Sequence, residues 1–129
     1  MAEVKLNNVS KRWGSFVGVD NFNITIPDKE FLVLLGPSGC GKTTLLNMIA
    51  GFITPTNGSI MLGDRLIEGP GADRGMVFQQ GALFEWLTVA KNVDFGLRMQ
   101  GVSEARSREQ VEKWLVTVGL QGFANTPTY

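Results

Sequence analysis

Apolar and polar positions alternate at two places early in the chain. Val4 and Leu6 alternate with Lys5 and Asn7, and Phe22, Ile24 and Ile26 alternate with Asn23 and Thr25. A period of two predicts half-buried strands. Pro27-Asp28-Lys29 supplies turn chemistry. Phe31-Leu32-Val33-Leu34-Leu35 then runs apolar without alternation, which predicts a strand covered on both faces, as in a parallel sheet. Between Lys42 and Ala50 the period lengthens. Leu45, Leu46, Ile49 and Ala50 fall on one side of a helix, and Gly51 ends it. Thr56-Asn57-Gly58 reads as a turn before a strand at Ser59-Ile60-Met61-Leu62. Glu68-Gly69-Pro70-Gly71 reads as a loop, and Gly75-Met76-Val77-Phe78 as another short strand. Beyond Phe84 the pattern turns helical. Thr88 is placed to cap a helix running to Gln100, with Val89, Val93 and Leu97 spaced by four. Ser103 is placed to cap a second, with Val111, Trp114, Leu115 and Val118 as its stripe and Gly119 as its stop. Strands thus dominate the first part and helices the rest, with no internal repeat.

Composition narrows the function. The chain has 129 residues, 43% hydrophobic and 19% charged, which suits one globular domain or part of a larger one. Twelve basic residues balance twelve acidic ones, so binding of nucleic acid through overall basicity is not expected. The single cysteine, Cys40, excludes an intrachain disulfide. The absence of histidine removes His-ligated metal sites, Ser-His triads and an imidazole general base. Met1 to Asn7 lacks the basic start and apolar core of a signal peptide, and the longest apolar run, Phe31–Leu35, is far short of the roughly 20 residues that span a bilayer. A soluble, cytoplasmic chain is expected.

The candidate chemistry lies in Gly36-Pro37-Ser38-Gly39-Cys40-Gly41-Lys42-Thr43-Thr44, which fits the pattern GxxxxGK followed by Ser or Thr. Backbone N–H groups in a tight loop surround phosphates without a deep cluster of cations. Gly36, Gly39 and Gly41 let the backbone bend and approach closely. The following helix adds the partial positive charge of its N-terminus. Lys42 carries a point charge toward the terminal phosphates, and the Thr43 hydroxyl is a ligand for the accompanying Mg²⁺. The structural alternative is a glycine-rich turn between a strand and a helix. Cys40 occupies a variable position of the loop, where a small filler suffices.

The flanking residues choose among phosphate-loop families. No guanine-specificity motif of the Asn-Lys-x-Asp type occurs. The run from Leu35 to Gly51 resembles the nucleotide-binding subunit of ABC transporters, as do Gly58-Ser59-Ile60, Gly75-Met76-Val77-Phe78-Gln79 and Thr88-Val89-x-x-Asn92-Val93. The resemblance covers essentially the whole chain. It implies an α/β P-loop NTPase core of the ABC ATPase kind, its N-terminal half, with a β-rich N-terminal subdomain and the start of the helical subdomain. Residues 1–84 would form the nucleotide-binding part and residues 85–129 the start of the helical part. Ile67 to Gly75 is similar to the nitrate, taurine and alkanesulfonate importer branch. Trp86 in Phe84-Glu85-Trp86 fits that branch, while Glu85 replaces its usual proline.

The resemblance also implies roles. ATP and Mg²⁺ are the expected cofactors, held by Gly36 through Thr44. Trp13 matches the aromatic that stacks on adenine, with Phe16 as the fallback; a core tryptophan is the structural alternative. Gln79 matches the glutamine that ligates Mg²⁺ or holds the attacking water, so Lys42 and Gln79 are the catalytic candidates and Thr43 and Gln79 the metal ligands. Phe84, Trp86 and Phe95 are candidates either for the groove that receives a permease helix or for subdomain core. Expected partners are transmembrane permease subunits and a second ATPase subunit, with the chain peripheral on the inner face of the cell membrane. The Leu-Ser-Gly-Gly signature, the Asp-Glu pair after an apolar run and the switch histidine do not occur in this sequence. The expectation is therefore an N-terminal portion of a longer ATPase that binds nucleotide but turns it over poorly. The alternatives are a non-catalytic module that assembles with itself or other chains, and a small P-loop kinase using Arg98, Arg106 or Arg108.

Overall fold

A computed structural model describes residues 2–129. The chain divides between Met76 and Val77 into two compact units. In the first, strands β1 (Val4–Trp13) and β2 (Phe16–Ile26) form an antiparallel hairpin. β3 (Asn57–Leu62) pairs with the other edge of β1, and the two-residue β4 (Arg65–Leu66) with β3, giving the order β2-β1-β3-β4. Helix α1 (Lys42–Ala50) belongs to this unit.

The register explains the core. Leu6 stands opposite Ile24 on one side and Ile60 on the other, so an apolar row crosses three strands. Strict alternation would place Asn8, not Val9, on the face of Leu6. The ladder shifts register between Leu6 and Val9, where Asn8 takes φ +49°, and Val9 becomes fully buried. Asn23 Oδ1 accepts the displaced Asn8 N–H at 2.7 Å. Leu6, Val9 and Ile60 pack with Leu45 and Met48 of α1, each burial contributing roughly 1.5–3 kcal/mol. The buried face of α1 is thus Leu45 and Met48, with Ile49 partly buried, whereas Leu46 is exposed.

Two expected strands do not form. Phe31–Leu35 and Gly75–Phe78 pair with no strand among the described residues. Both edges of β1 are already taken by β2 and β3. Leu34 packs against the core, but Phe31 and Leu35 are 87% and 88% exposed. An unalternating run encodes a need for cover on both faces; it does not encode the partner.

The second unit holds α2 (Val89–Met99) and α3 (Glu104–Thr117), followed by a 3₁₀ turn at Gln121–Phe123. Thr88 caps α2, its hydroxyl accepting the Lys91 N–H at 3.3 Å. Ser103 occupies the cap position of α3 without a side-chain cap bond. The buried stripe of α3 is Ser107, Val111 and Leu115, spaced by four. Trp114 and Val118, expected on that stripe, are exposed, because they lie to one side of it. The chain end returns to the start of α2: the N–H groups of Val89 and Ala90 donate to the carbonyls of Thr126 and Ala124 at 3.0 and 2.9 Å.

Candidate functional site

The loop from Gly36 to Gly41 enters α1 through two left-handed glycines. Gly39 has φ +79° and Gly41, the N-cap residue, φ +93°. No side chain caps α1, and no acidic residue stands in its first turn. Its N-terminal N–H groups and their partial positive charge are left for an anion. The loop braces itself: Cys40 N–H donates to Pro37 O at 3.4 Å, and the Cys40 side chain lies against Gly36, where a Cβ would stand 2.7 Å from Sγ. Cys40 is thus the filler of its own loop. Gly41 rests on β2, since a Cβ there would stand 2.4 Å from Gly18 O.

Lys42 folds back across this loop. Its ammonium donates to Gly36 O and Pro37 O, each at 2.7 Å, and approaches Cys40 Sγ at 3.4 Å. An ammonium has three protons, so all are engaged, and a phosphate must displace at least one of these contacts.

An open cleft of about 470 Å³ lies beside the loop, lined by Trp13, Phe16, Gly39, Lys42, Thr43 and Thr44 among others. That volume lies in the range of small-molecule sites. Trp13 and Phe16 flank the β1–β2 turn with ring centroids 6.1 Å apart and planes tilted by 32°. Trp13 is 45% exposed and is therefore not a core tryptophan. Lys11 holds its ammonium 5.5 Å from the Trp13 ring centroid while donating to Thr54 O at 2.8 Å, a cation–π contact that steadies the ring. The cleft thus joins a flat apolar ring to a cationic, N–H-rich loop, which suits a ligand with a planar base and a phosphate chain. The glycine conformations and the uncapped helix fit the phosphates, and Thr43 offers a hard oxygen suited to Mg²⁺.

Pro37 and Ser38 are exposed on the same loop. Gln79 belongs to the second unit, exposed in a bend. In that unit Phe84 packs between Phe95 and Trp86, with ring centroids 4.4 and 5.3 Å away. Phe84 is half-buried and Trp86 is 78% exposed, so Trp86 is surface rather than core.

Three further residues hold the cleft and the start of α2 in place. Gly18 meets the ring edge and the loop, and its only mark in the sequence is a glycine between two valines. Lys11 holds the ring, and nothing in the pattern marks it. Asn92 stitches the segment before α2: its Oδ1 accepts Phe84 N–H at 2.9 Å, and its Nδ2 donates to Phe84 O and Thr88 O, each at 3.1 Å.

Comparison with known proteins bears on this geometry. The ABC transporter family model matches residues 19–129. The chain is 64% identical over 107 residues to the taurine import ATP-binding protein TauB of Pelagibacter ubique, covering 83% of this chain and 40% of that protein. It is 45% identical over 134 residues to TauB of Jannaschia sp., covering 100% of this chain and 50% of that protein. The chain thus spans half or less of these relatives. In structure it is similar to the ATP-binding cassette MJ0796, solved as a dimer in a post-hydrolysis state bound to ADP and Pi. The TM-score is 0.83 at 31% identity, over 97% of this chain and 61% of that one. The fold class is accordingly the α/β P-loop NTPase core of ABC ATPases.

Proposed function

The chain belongs to the ABC transporter family, and from that premise we propose that it forms the Mg·ATP-binding portion of an importer ATPase. One observation carries this most directly: the glycine-bent loop and uncapped α1 share a cleft with an exposed tryptophan. In this reading, loop N–H groups and the Lys42 ammonium bind the phosphates, and Trp13 stacks on the adenine. Residues 1–84 are the nucleotide-binding part, and residues 85–129 begin the helical subdomain.

Bound Mg²⁺ neutralises phosphate charge and fixes the geometry for displacement by water. Thr43 and Gln79 are its proposed protein ligands. Lys42 and Gln79 are the proposed catalytic groups: Lys42 for charge on the transferring phosphate, Gln79 for the metal or the attacking water. Transport would need permease subunits and a second ATPase subunit. The cargo would be taurine or a related small anion such as nitrate or an alkanesulfonate; the names of the relatives support taurine. Among the described residues no helix is long and apolar enough to cross a membrane, and we place the chain on the inner face of the membrane through its permease. This chain by itself is expected to bind nucleotide and turn it over slowly.

Calorimetry of Mg·ATP with the chain and its Lys42→Ala variant tests this. Micromolar binding that weakens at least about tenfold in the variant supports it, since a hydrogen bond to a charged group is worth about 1.5–3 kcal/mol. A folded chain without binding overturns it. The exposed apolar run at Phe31–Leu35 favours a second reading, a non-catalytic module that assembles through this segment. Concentration-dependent sedimentation without nucleotide binding would favour that reading over the first.

A further inference from the structure

We propose that Gly18 is a positioning residue that sets where the base-stacking ring stands relative to the phosphate loop; this rests on the nucleotide-site reading above. A glycine inside a strand loosens it and offers nothing to pack. Gly18 lies within β2 between Val17 and Val19, with a φ outside the left-handed region. Backbone strain therefore does not require glycine there. Space does. A Cβ on Gly18 would stand 2.5 Å from Cζ3 of Trp13 and 3.4 Å from each of its ring neighbours, Cε3 and Cη2. One short distance flanked by two equal, much longer ones marks an approach in the ring plane onto a vertex. An approach onto the face would bring the flanking atoms much closer. The edge of Trp13 therefore abuts Gly18, so this contact covers neither ring face; the Lys11 ammonium lies over one of them.

The carbonyl of Gly18 meets the loop. Gly18 O is the atom that a Cβ on Gly41 would strike at 2.4 Å. One residue thus gives the ring the space its own side chain would fill and meets the phosphate loop with its oxygen. A methyl group at position 18 displaces only the ring. Trp13 is 45% exposed and held by surface contacts with Lys11 and Phe16 rather than by the core, so the cost falls on stacking rather than on folding.

The test is a binding cycle on the whole chain with two ligands, Mg·ATP and magnesium tripolyphosphate, the second having no base. Gly18→Ala is expected to weaken Mg·ATP about five- to tenfold, within the range of base–aromatic stacking, and tripolyphosphate by less than about twofold. In a Trp13→Ala background the same substitution should change Mg·ATP binding by less than about twofold, because the obstructed ring is gone. Equal weakening of both ligands, or full additivity with Trp13→Ala, would overturn the proposal. So would an unchanged Mg·ATP affinity in Gly18→Ala, or loss of its folding. A folded wild-type chain that binds neither ligand would overturn the nucleotide-site reading and this proposal with it. A wild type that binds both isolates the proposal for Gly18.

Discussion

Gly41 sits so close to Gly18 that a Cβ on Gly41 would stand 2.4 Å from the Gly18 carbonyl oxygen. The turn that opens α1 is thereby seated on β2 by backbone against backbone. Gly41 also has φ +93°, a conformation that costs an L-residue about 1–2 kcal/mol. Gly41→Ala is expected to lower stability by at least that amount and to abolish Mg·ATP binding. Gly39 provides the contrast. It has φ +79° but nothing within 4 Å of a Cβ, so Gly39→Ala adds strain without a clash and should be the milder change. Denaturant midpoints and calorimetry on both variants check this. Equal damage from the two would show that the contact with Gly18 does not matter.

A second glycine is fixed by what lies against it. Gly51 ends α1 with φ +86°, its N–H donating to Met48 O at 3.1 Å. A Cβ on it would stand 2.2 Å from Gly69 O and 2.7 Å from Pro70 N. Gly51→Ala combines the backbone cost of about 1 kcal/mol or more with displacement of the 69–70 loop. The expected result is a thermal midpoint lower by several degrees. A midpoint equal to wild type would mean that the loop yields without cost.

What was legible in the sequence was local. The GxxxxGK pattern located the loop and the start of α1, because bending and close approach leave their mark on residue type. Period two found the start of β1 and the end of β2, and Thr88 announced the cap of α2. Register was not legible: nothing in Asn7-Asn8-Val9 says that Asn8 bulges and Val9 turns inward. The Phe31–Leu35 run showed a demand for cover, and its lateral partner is absent among the described strands. Gly18 and Asn92 act through contacts with residues distant in sequence, Gly41 for one and Thr128 for the other. Spacing alone cannot announce such contacts.

Asn92 is expected to be the most sensitive polar residue of the second unit. It bonds both the N–H and the carbonyl of Phe84, and it reaches Thr88 O in the preceding turn of α2. Thr128 closes the same ring, its hydroxyl donating to Phe84 O and Leu87 O at 3.2 and 3.1 Å. Asn92→Ala leaves the partly buried Phe84 N–H without its acceptor, at a cost of about 1–3 kcal/mol, while Phe84 O keeps the Leu87 N–H and the Thr128 hydroxyl. Asn92→Asp keeps only the acceptor and should fall between wild type and alanine. Hydrogen exchange at the amides of residues 84 and 92–97 reads the effect. Unchanged protection in Asn92→Ala would show that packing of Phe84 on Phe95 suffices.

Acid should loosen the packing of α3 on α2 through one carboxylate. Asp94 of α2 accepts hydrogen bonds from the buried Ser107 hydroxyl of α3 and from Arg98 one turn along α2. The Ser107 hydrogen bond is the main cause that lowers its pKa, partial burial works against it, and Arg98 adds hydrogen bonding and charge in the same direction as Ser107. Lys91, Glu104 and Arg108 line the same cleft, where Arg108 pairs with Glu104 at 3.3 Å. A carboxylate with a depressed folded pKa contributes stability above its unfolded value, near pH 4, and loses it as pH falls through the folded value. Protection of the α3 amides should therefore decline below about pH 4 in the wild type. Asp94→Asn cannot titrate but still accepts from Ser107, so its protection should be lower at neutral pH and flatter in acid. Exchange rates of the Ser107, Val111 and Leu115 amides from pH 7 to pH 3, corrected for intrinsic chemistry, decide it. Parallel acid limbs in the two proteins would assign the loss to groups other than Asp94.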